Sequence, residues 1–320
     1  MKEIGGYFGL EELTHKEYYP DLIAVNNARN ALLYILKAKK IRKLYIPYFL
    51  CDSVSKLCDR EGYEYEYYHI GKDFMPIFDR ELNESERIYI VNYYGQINND
   101  KAIEFNEKYK YIIFDNVQAF FQKPVMGIDT IYSCRKFFGV PDGGYVFTDI
   151  RLSEDMSVDV SMNRMKHILG RYEGACASDY YSDFCINDES YYNLGLRYMS
   201  KLTHNILGSI DYEVVQKKRE ENYNILAELL GIKNELKLDT PIGPYAYPFY
   251  CKDGMNIKKQ LSQNKIYVGT LWPNVLAMEE SIEKDYAENI IPLPCDQRYG
   301  NDDMHLIYST LMRITEHLKQ

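Results

Sequence analysis

Short apolar runs alternate with helical patterns through the first half of the chain. Residues 26–40 begin with two asparagines suited to an N-cap and then carry apolar side chains at helical spacing, which predicts an amphipathic helix. A second helix is predicted over residues 100–109. Runs rich in tyrosine, isoleucine and valine predict strands. These predicted strands are residues 43–47, 64–68, 87–93, 109–115, 130–133 and 144–148. Strands that alternate with helices predict a largely parallel sheet, and such sheets bind ligands at the carboxyl ends of their strands.

The pattern changes in the second half. One long amphipathic helix is predicted from about residue 197 to 230. Shorter apolar runs follow at 246–250 and 265–268, and a terminal helix is predicted from about 302 to 318.

The 320 residues are enough for two domains. We expect an α/β protein with a large domain over residues 1–235, built on a mostly parallel mixed sheet flanked by helices. Residues 236–320 are expected to form a smaller C-terminal α+β domain.

Composition and charge exclude two classes of protein. A net charge of −9 and a pI near 5.3 argue against a nucleic-acid binder, because phosphates would meet no broad basic face. No apolar stretch is long enough to cross a bilayer, so no membrane partner is expected.

Cysteine and histidine spacing narrows the picture further. The seven cysteines are an odd number without a CxxC pair, which is typical of reduced thiols in the cytoplasm. The six histidines show no HExxH or similar spacing, so no metal site is predicted.

Lys136 is the candidate nucleophile. It follows Ser133 by three residues and precedes the pair Gly143 and Gly144. A lysine that forms a Schiff base needs a neutral amine, which partial burial among aromatic residues and the neighbouring Arg135 would favour. The serine can reach the phosphate of the same cofactor, and the glycine pair permits close backbone approach. Taken alone, Lys136 would be a solvated loop lysine, which is the commoner fate of a single lysine.

Two further groups lie at a strand end and a helix start. Asp115 closes a predicted strand, with Gln118 three residues later, and a carboxylate there can hold a protonated pyridine nitrogen. The alternative is an aspartate that caps the next turn. Asn27, Ala28 and Arg29 open the first helix, whose backbone N–H groups and dipole suit a phosphate, although they equally suit a simple N-cap.

The order and spacing of these residues resemble the DegT/DnrJ/StrS family of aminotransferases dependent on pyridoxal 5'-phosphate (PLP). The best-known members of that family aminate nucleotide-linked keto sugars. The resemblance implies the aspartate-aminotransferase fold (PLP-transferase fold type I), PLP as cofactor, and Lys136 as the lysine that carries it.

The remaining roles are also implied by the resemblance. Asp115 matches the aspartate that meets the pyridine nitrogen, and Gln118 matches the glutamine near the ring hydroxyl. The phosphate would be held by Ala28, Arg29 and Ser133.

The chain departs from the family pattern at two places. Cys51 stands where family members often have an aromatic ring that stacks on the cofactor, with Tyr48 and Phe49 as substitutes after a small shift in register. Arg197 lies near the position of an asparagine that reaches the phosphate of the partner subunit. Arg197 would supply a full charge there, or the contact is lost.

The implied reaction is amino transfer from glutamate to a nucleotide-linked keto sugar, in cell-surface polysaccharide or amino-sugar biosynthesis, by a homodimer. Lys136 would move the proton. Arg135 and Trp272 are candidate substrate contacts, although Arg135 could bind phosphate instead and Trp272 could be core packing. The alternatives are another PLP reaction, by a lyase or decarboxylase, or an inactive relative that binds a sugar nucleotide or a partner protein.

Overall fold

The computed structural model describes residues 6, 8–13, 16–174 and 176–317. Its largest element is an eight-stranded sheet in the order β1-β8-β7-β6-β5-β2-β3-β4. The strands are β1 (Ile23–Val25), β2 (Lys43–Pro47), β3 (Glu64–Ile70), β4 (Pro76–Ile77), β5 (Glu86–Val91), β6 (Ile112–Asp115), β7 (Asp129–Ser133) and β8 (Gly144–Phe147). The central strands β3, β2, β5, β6 and β7 are parallel, and β4, β8 and β1 pair antiparallel with their neighbours. This confirms the predicted mostly parallel mixed sheet.

The strands were visible in the sequence because both faces of the sheet are covered. Every residue of β6 and all but the first residue of β5 are buried, and their sequences contain the apolar runs Ile112–Phe114 and Ile88–Val91. The helices that precede the C-terminal part are α1 (Ala28–Ala38), α2 (Ser53–Glu61), α3 (Asn99–Tyr109), α4 (Lys166–Tyr172), α5 (Tyr181–Ser190), α6 (Lys201–Leu207) and α7 (Tyr212–Leu230). None of the helices in the described ranges combines the length and apolar character needed to cross a membrane.

A second, antiparallel sheet of two strands forms in the C-terminal part. It pairs β9 (Tyr247–Tyr250) with β10 (Ile290–Leu293). The helices α8 (Gly254–Gln263), α9 (Ile282–Asn289) and α10 (Asn301–His317) accompany it. The predicted smaller α+β part is thus confirmed, and the boundary between residues 235 and 236 stays a prediction.

Two predicted elements were wrong. The long helix over 197–230 is two helices, α6 and α7, because Gly208 follows the first and Asp211 accepts a hydrogen bond from the Val214 N–H (3.1 Å) to cap the second. Residues 265–268, all of them described, follow α8 and form no strand. Residue 318, the last of the predicted terminal helix, lies outside the described residues.

Close packing at Gly144 brings β8 against the start of α1. A Cβ added there would lie 2.8 Å from the carbonyl carbon of Asn27 and 2.9 Å from the backbone nitrogen of Ala28. Only glycine allows this approach. It sets the first turn of α1 beside the carboxyl ends of the central strands.

Candidate active site

A cavity of about 290 Å³ lies where the carboxyl ends of β5, β6 and β7 meet the first turn of α1. Nine of the ten predicted site residues line it. They are Ala28, Arg29, Cys51, Asp115, Gln118, Ser133, Arg135, Lys136 and Trp272. The position agrees with the expectation that a parallel sheet binds its ligand at the carboxyl ends of its strands.

Asp115 lies at the base of the cavity and is 2% exposed. One carboxylate oxygen, Oδ2, accepts a hydrogen bond from the Tyr89 hydroxyl (2.5 Å), and Oδ1 accepts one from the Val117 N–H (2.8 Å). Burial raises the pKa of Asp115, and these two hydrogen bonds together with the charge of Lys136 oppose the rise only in part. A cation against this carboxyl would therefore stabilise its charged form.

Gln118 is buried beside Asp115. Its Oε1 accepts a hydrogen bond from the backbone N–H of Tyr94 (2.8 Å), in the turn that follows β5. Tyr94 has φ +54°, in the left-handed region, so the turn bends sharply there. The turn after one strand therefore orients a side chain that follows the neighbouring strand.

The first turn of α1 carries donors without partners. Asn27 caps the helix by accepting the Asn30 N–H (2.8 Å), but its Nδ2 is buried and has no hydrogen-bond partner among the described residues. The same is true of Nε and Nη1 of Arg29. The Arg29 guanidinium lies 4.3 Å from the centroid of the Tyr192 ring, and burial lowers the pKa of Arg29. Ser133, at the end of β7, lines the same cavity.

Lys136 is held at the cavity by a tight turn. The backbone N–H groups of Phe137 and Phe138 both donate to the carbonyl of Cys134 (3.0 Å each). The carbonyl of Phe137 accepts hydrogen bonds from Arg219 Nη2 (3.1 Å) and Gln297 Nε2 (2.8 Å). Thus α7 and the C-terminal part fix the residue next to the lysine.

The Lys136 side chain itself is exposed, so the expectation of partial burial was wrong. Its Nζ lies 5.7 Å from the centroid of the Tyr245 ring. The aromatic residues that follow it, Phe137 and Phe138, turn into the core instead. The lysine amine is therefore accessible to a ligand in the cavity.

Arg135 also lines the cavity and has two partners. Its Nη1 lies 3.2 Å from Oδ1 of Asp188, and its guanidinium carbon lies 4.3 Å from the centroid of the Tyr191 ring. Both partners belong to the segment formed by α5 and the residues after it, which covers this side of the cavity.

Tyr48 and Phe49 were the aromatic residues that the sequence offered in place of Cys51 beside the cofactor. In the structure the Tyr48 ring stacks on the Tyr67 ring with 4.7 Å between centroids, and the Phe49 ring packs on Trp272 in the core with 4.3 Å between centroids. Neither residue lines the cavity, whereas Cys51 does. Trp272 both packs in the core and lines the cavity, which makes its two interpretations compatible.

Arg197 is the one predicted site residue that lies elsewhere within the chain. Its Nη1 is 3.3 Å from Oδ1 of Asp159, whose other oxygen, Oδ2, lies 2.6 Å from Nη2 of Arg164. A role for Arg197 across a subunit interface stays a prediction.

Several of the lining residues were missed in the sequence, and four of these contact Asp115, Arg29 or Arg135 through their side chains. They are Tyr89, Asp188, Tyr191 and Tyr192. Tyr89 has a detectable signal, because it lies two residues before Val91 and therefore on the same face of β5. The other three come from a remote segment with no local signal, and only the tertiary structure places them.

Comparisons with known proteins place this fold. No family model and no curated protein sequence matches the chain. Among solved structures, it is similar to a DegT DnrJ EryC1 StrS aminotransferase from Brucella abortus (15% identity, 92% of this chain, 85% of that chain, TM-score 0.61). It is also similar to NtdA from Bacillus subtilis with bound cofactor PMP (14% identity, 92% and 73%, TM-score 0.66). A third is the sugar aminotransferase CalS13 from Micromonospora echinospora (15% identity, 91% and 87%, TM-score 0.60).

These likenesses cover nearly the whole chain. At 14–15% identity they show the fold and not the identity of the substrate. The chain therefore has the PLP-transferase type I fold that these aminotransferases share, as its sequence motifs predicted.

Proposed function

We propose that this protein is a PLP-dependent aminotransferase and that Lys136 carries the cofactor. One observation supports this most directly. A single cavity is lined by the buried carboxyl of Asp115, the accessible amine of Lys136 and the guanidinium of Arg29, whose Nε and Nη1 have no partner in the part of the chain that the structure describes. These three groups complement the ring nitrogen, the aldehyde and the phosphate of PLP.

The residues present fit the phosphate end of the cofactor. Nε and Nη1 of Arg29 and Nδ2 of Asn27 are buried donors without partners in the described chain, next to the N-terminus of α1. Each unpartnered buried donor costs about 1–3 kcal/mol. A phosphate would supply acceptors for such donors and would also meet the positive end of the helix dipole. The hydroxyl of Ser133 is a further donor in the same cavity.

The residues also fit the ring. Burial raises the pKa of Asp115, so its charged form needs a cation close by, and a protonated pyridine nitrogen is such a cation. The Tyr89 hydroxyl and the Val117 N–H hold both carboxylate oxygens in place. Gln118, oriented by the Tyr94 N–H, lies beside this carboxylate for the ring hydroxyl.

When bound, PLP supplies an aldehyde that amines attack and a ring that withdraws electrons from the substrate. Asp115 keeps the ring nitrogen protonated. Lys136 carries the cofactor through its Nζ and then moves the proton at the substrate α-carbon. Its position on a turn fixed by Cys134 and Arg219 keeps the amine at the cavity while its side chain remains free to move.

The substrates we propose are glutamate as amino donor and a nucleotide-linked keto sugar as acceptor, in polysaccharide or amino-sugar biosynthesis. The family resemblance of the motifs and the likeness to sugar aminotransferase structures support this choice. We also propose a cytoplasmic homodimer in which Arg197 reaches the phosphate of the partner subunit. The cysteine pattern and the same resemblance support these two points.

An absorbance spectrum with added PLP tests the proposal. We expect a visible band for the wild type, loss of the band on addition of glutamate, and no band for Lys136→Ala. Lys201→Ala, which removes an exposed lysine of α6, is the matched control and should keep the band. Borohydride reduction followed by peptide mass analysis should locate a pyridoxyl group on Lys136.

Each other outcome has a defined meaning. A band that glutamate leaves unchanged, while other amino acids bleach it, would retain PLP and replace the donor. A band that no amino acid bleaches would favour a lyase or decarboxylase. Absence of any band in the wild type would refute the enzyme proposal and leave a binding protein with an enzyme fold.

A further inference from the structure

The two arginines of the cavity differ in their partners. Nε and Nη1 of Arg29 have no hydrogen-bond partner among the described residues, whereas Arg135 is paired with Asp188 through Nη1 and Oδ1 at 3.2 Å. Of the residues that line the cavity in the described chain, the acids are Asp115 and Asp188. Asp115 is engaged by Tyr89 and Val117. Asp188 is therefore the acid that neutralises a cavity arginine.

Arg135 does not depend on Asp188 for its position. Its guanidinium lies 4.3 Å from the centroid of the Tyr191 ring, and Tyr191 is 2% exposed and thus fixed in the core. A cation over an aromatic face is attracted by the ring itself. The guanidinium would keep its place if the carboxylate of Asp188 moved away.

The carboxylate of Asp188 can separate from Arg135 easily. The Asp188 side chain is 51% exposed, so its carboxylate can turn into water at little cost. The pair of Asp159 and Arg164 is the opposite case, because the two side chains are only 1% and 13% exposed and lie 2.6 Å apart. The first pair is exchangeable, and the second is a permanent part of the fold.

We propose that Arg135 binds the carboxylate of the amino-acid substrate and that Asp188 is a counter-ion which the substrate displaces. This rests on the proposed function. One carboxylate replaces another on the same guanidinium, so the charge of the cavity is unchanged and the arginine is never left unpaired. Arg135 immediately precedes Lys136, so a substrate held by its carboxylate is anchored next to the residue that carries the cofactor. Asp188 then competes with every carboxylate that enters the cavity.

Calorimetric titration of the PLP-loaded protein with glutarate at low salt tests the exchange. Glutarate has carboxylates but no amino group, so it binds without reacting. We expect Asp188→Asn to bind glutarate about two- to fivefold more tightly, the range for a half-exposed ion pair. Glu189→Gln, an exposed neighbour with the same change of charge, should match the wild type. Arg135→Gln should bind about tenfold more weakly or worse.

High salt should remove the difference between Asp188→Asn and the wild type, because it screens a half-exposed pair. The exchange is refuted if Asp188→Asn binds glutarate no more tightly than Glu189→Gln does. The assignment of Arg135 is refuted if Arg135→Gln leaves glutarate binding intact.

A second titration separates the substrate carboxylate from the cofactor phosphate. The ratio of the affinities for PLP and for pyridoxal, which lacks the phosphate, should be the same in the wild type and Arg135→Gln. A lower ratio in the variant would assign Arg135 to the phosphate and overturn the proposal. Failure of the wild type to take up PLP would refute the proposed function instead, and glutarate titration of the cofactor-free protein would still report on Arg135 and Asp188.

Discussion

In Asp115→Asn the side chain keeps its shape and loses its charge. In the wild type the Val117 N–H donates to Oδ1 of Asp115 at 2.8 Å, and the asparagine oxygen can still accept this hydrogen bond. The asparagine amide N–H can donate a hydrogen bond to the Tyr89 hydroxyl oxygen. The cavity and the sheet should therefore be unaltered. What the substitution removes is the negative charge that faces the proposed ring nitrogen.

The expected effects on fold and cofactor differ in size. For the cofactor-free protein near the pKa of Asp115 we expect the free energy of unfolding to change by no more than about 1 kcal/mol, because the asparagine amide keeps a hydrogen bond to both partners, Tyr89 and Val117. For PLP we expect the loss of a hydrogen bond to a charged group, about 1.5–3 kcal/mol, or roughly a tenfold to hundredfold weaker affinity.

The pH dependence has a definite sign. Burial raises the pKa of Asp115 in the folded protein, so between about pH 4, the unfolded value, and the raised value the folded state binds more protons. The stability of the cofactor-free wild type should therefore fall as pH rises through this range. Asp115→Asn has no such group, so it should become more stable relative to the wild type over the same range.

The assays are urea unfolding of the cofactor-free protein across this pH range and titration with PLP at neutral pH. Asp129→Asn is the matched control, because Asp129 is also a buried strand aspartate but pairs with Lys39 at 2.9 Å, outside the cavity lining. It should lower stability and leave PLP affinity unchanged. Equal PLP affinity in Asp115→Asn and the wild type would contradict the assignment of Asp115 to the ring nitrogen.

Two further substitutions test the close packing at Gly144 and the burial of Lys258. Gly144→Ala should lower the free energy of unfolding by about 1–3 kcal/mol, because its Cβ would lie 2.8 Å from the backbone of Asn27. Gly139→Ala is the control, because its Cβ would lie 3.6 Å from Ile168 and should leave the unfolding free energy unchanged. Similar urea midpoints for the two variants would contradict this prediction. Burial lowers the pKa of Lys258 from 10.5 to about 8, so the unfolded state binds more protons between these pH values. The free energy of unfolding of the wild type should therefore rise by up to about 3 kcal/mol relative to Lys258→Met as pH increases from about 8 to 10.5. A difference between the two proteins that stays constant with pH would refute the effect.

The sequence alone determined the sheet and the order of the groups at its carboxyl edge. Strand β2 spans Lys43–Pro47 as predicted, and its last four residues form a buried apolar run because the strand is covered on both faces. Asp115 and Ser133 each end a strand, and all three of Asp115, Ser133 and Lys136 line one cavity. Parallel strands bring their carboxyl ends to one edge, so short sequence motifs were enough to predict this assembly.

Only the tertiary structure decided how the chain closes over that edge. The break between α6 and α7 depends on a cap at Asp211 that a continuous amphipathic pattern conceals. The pairing of Arg135 with Asp188 joins residues 53 positions apart in the sequence, from a turn after β7 and a helix of another segment. Local patterns report which face of an element is apolar, but they carry no information on which remote segment covers it. That choice depends on the packing of the whole chain, and it places the tyrosines and the acid that face the two cavity arginines.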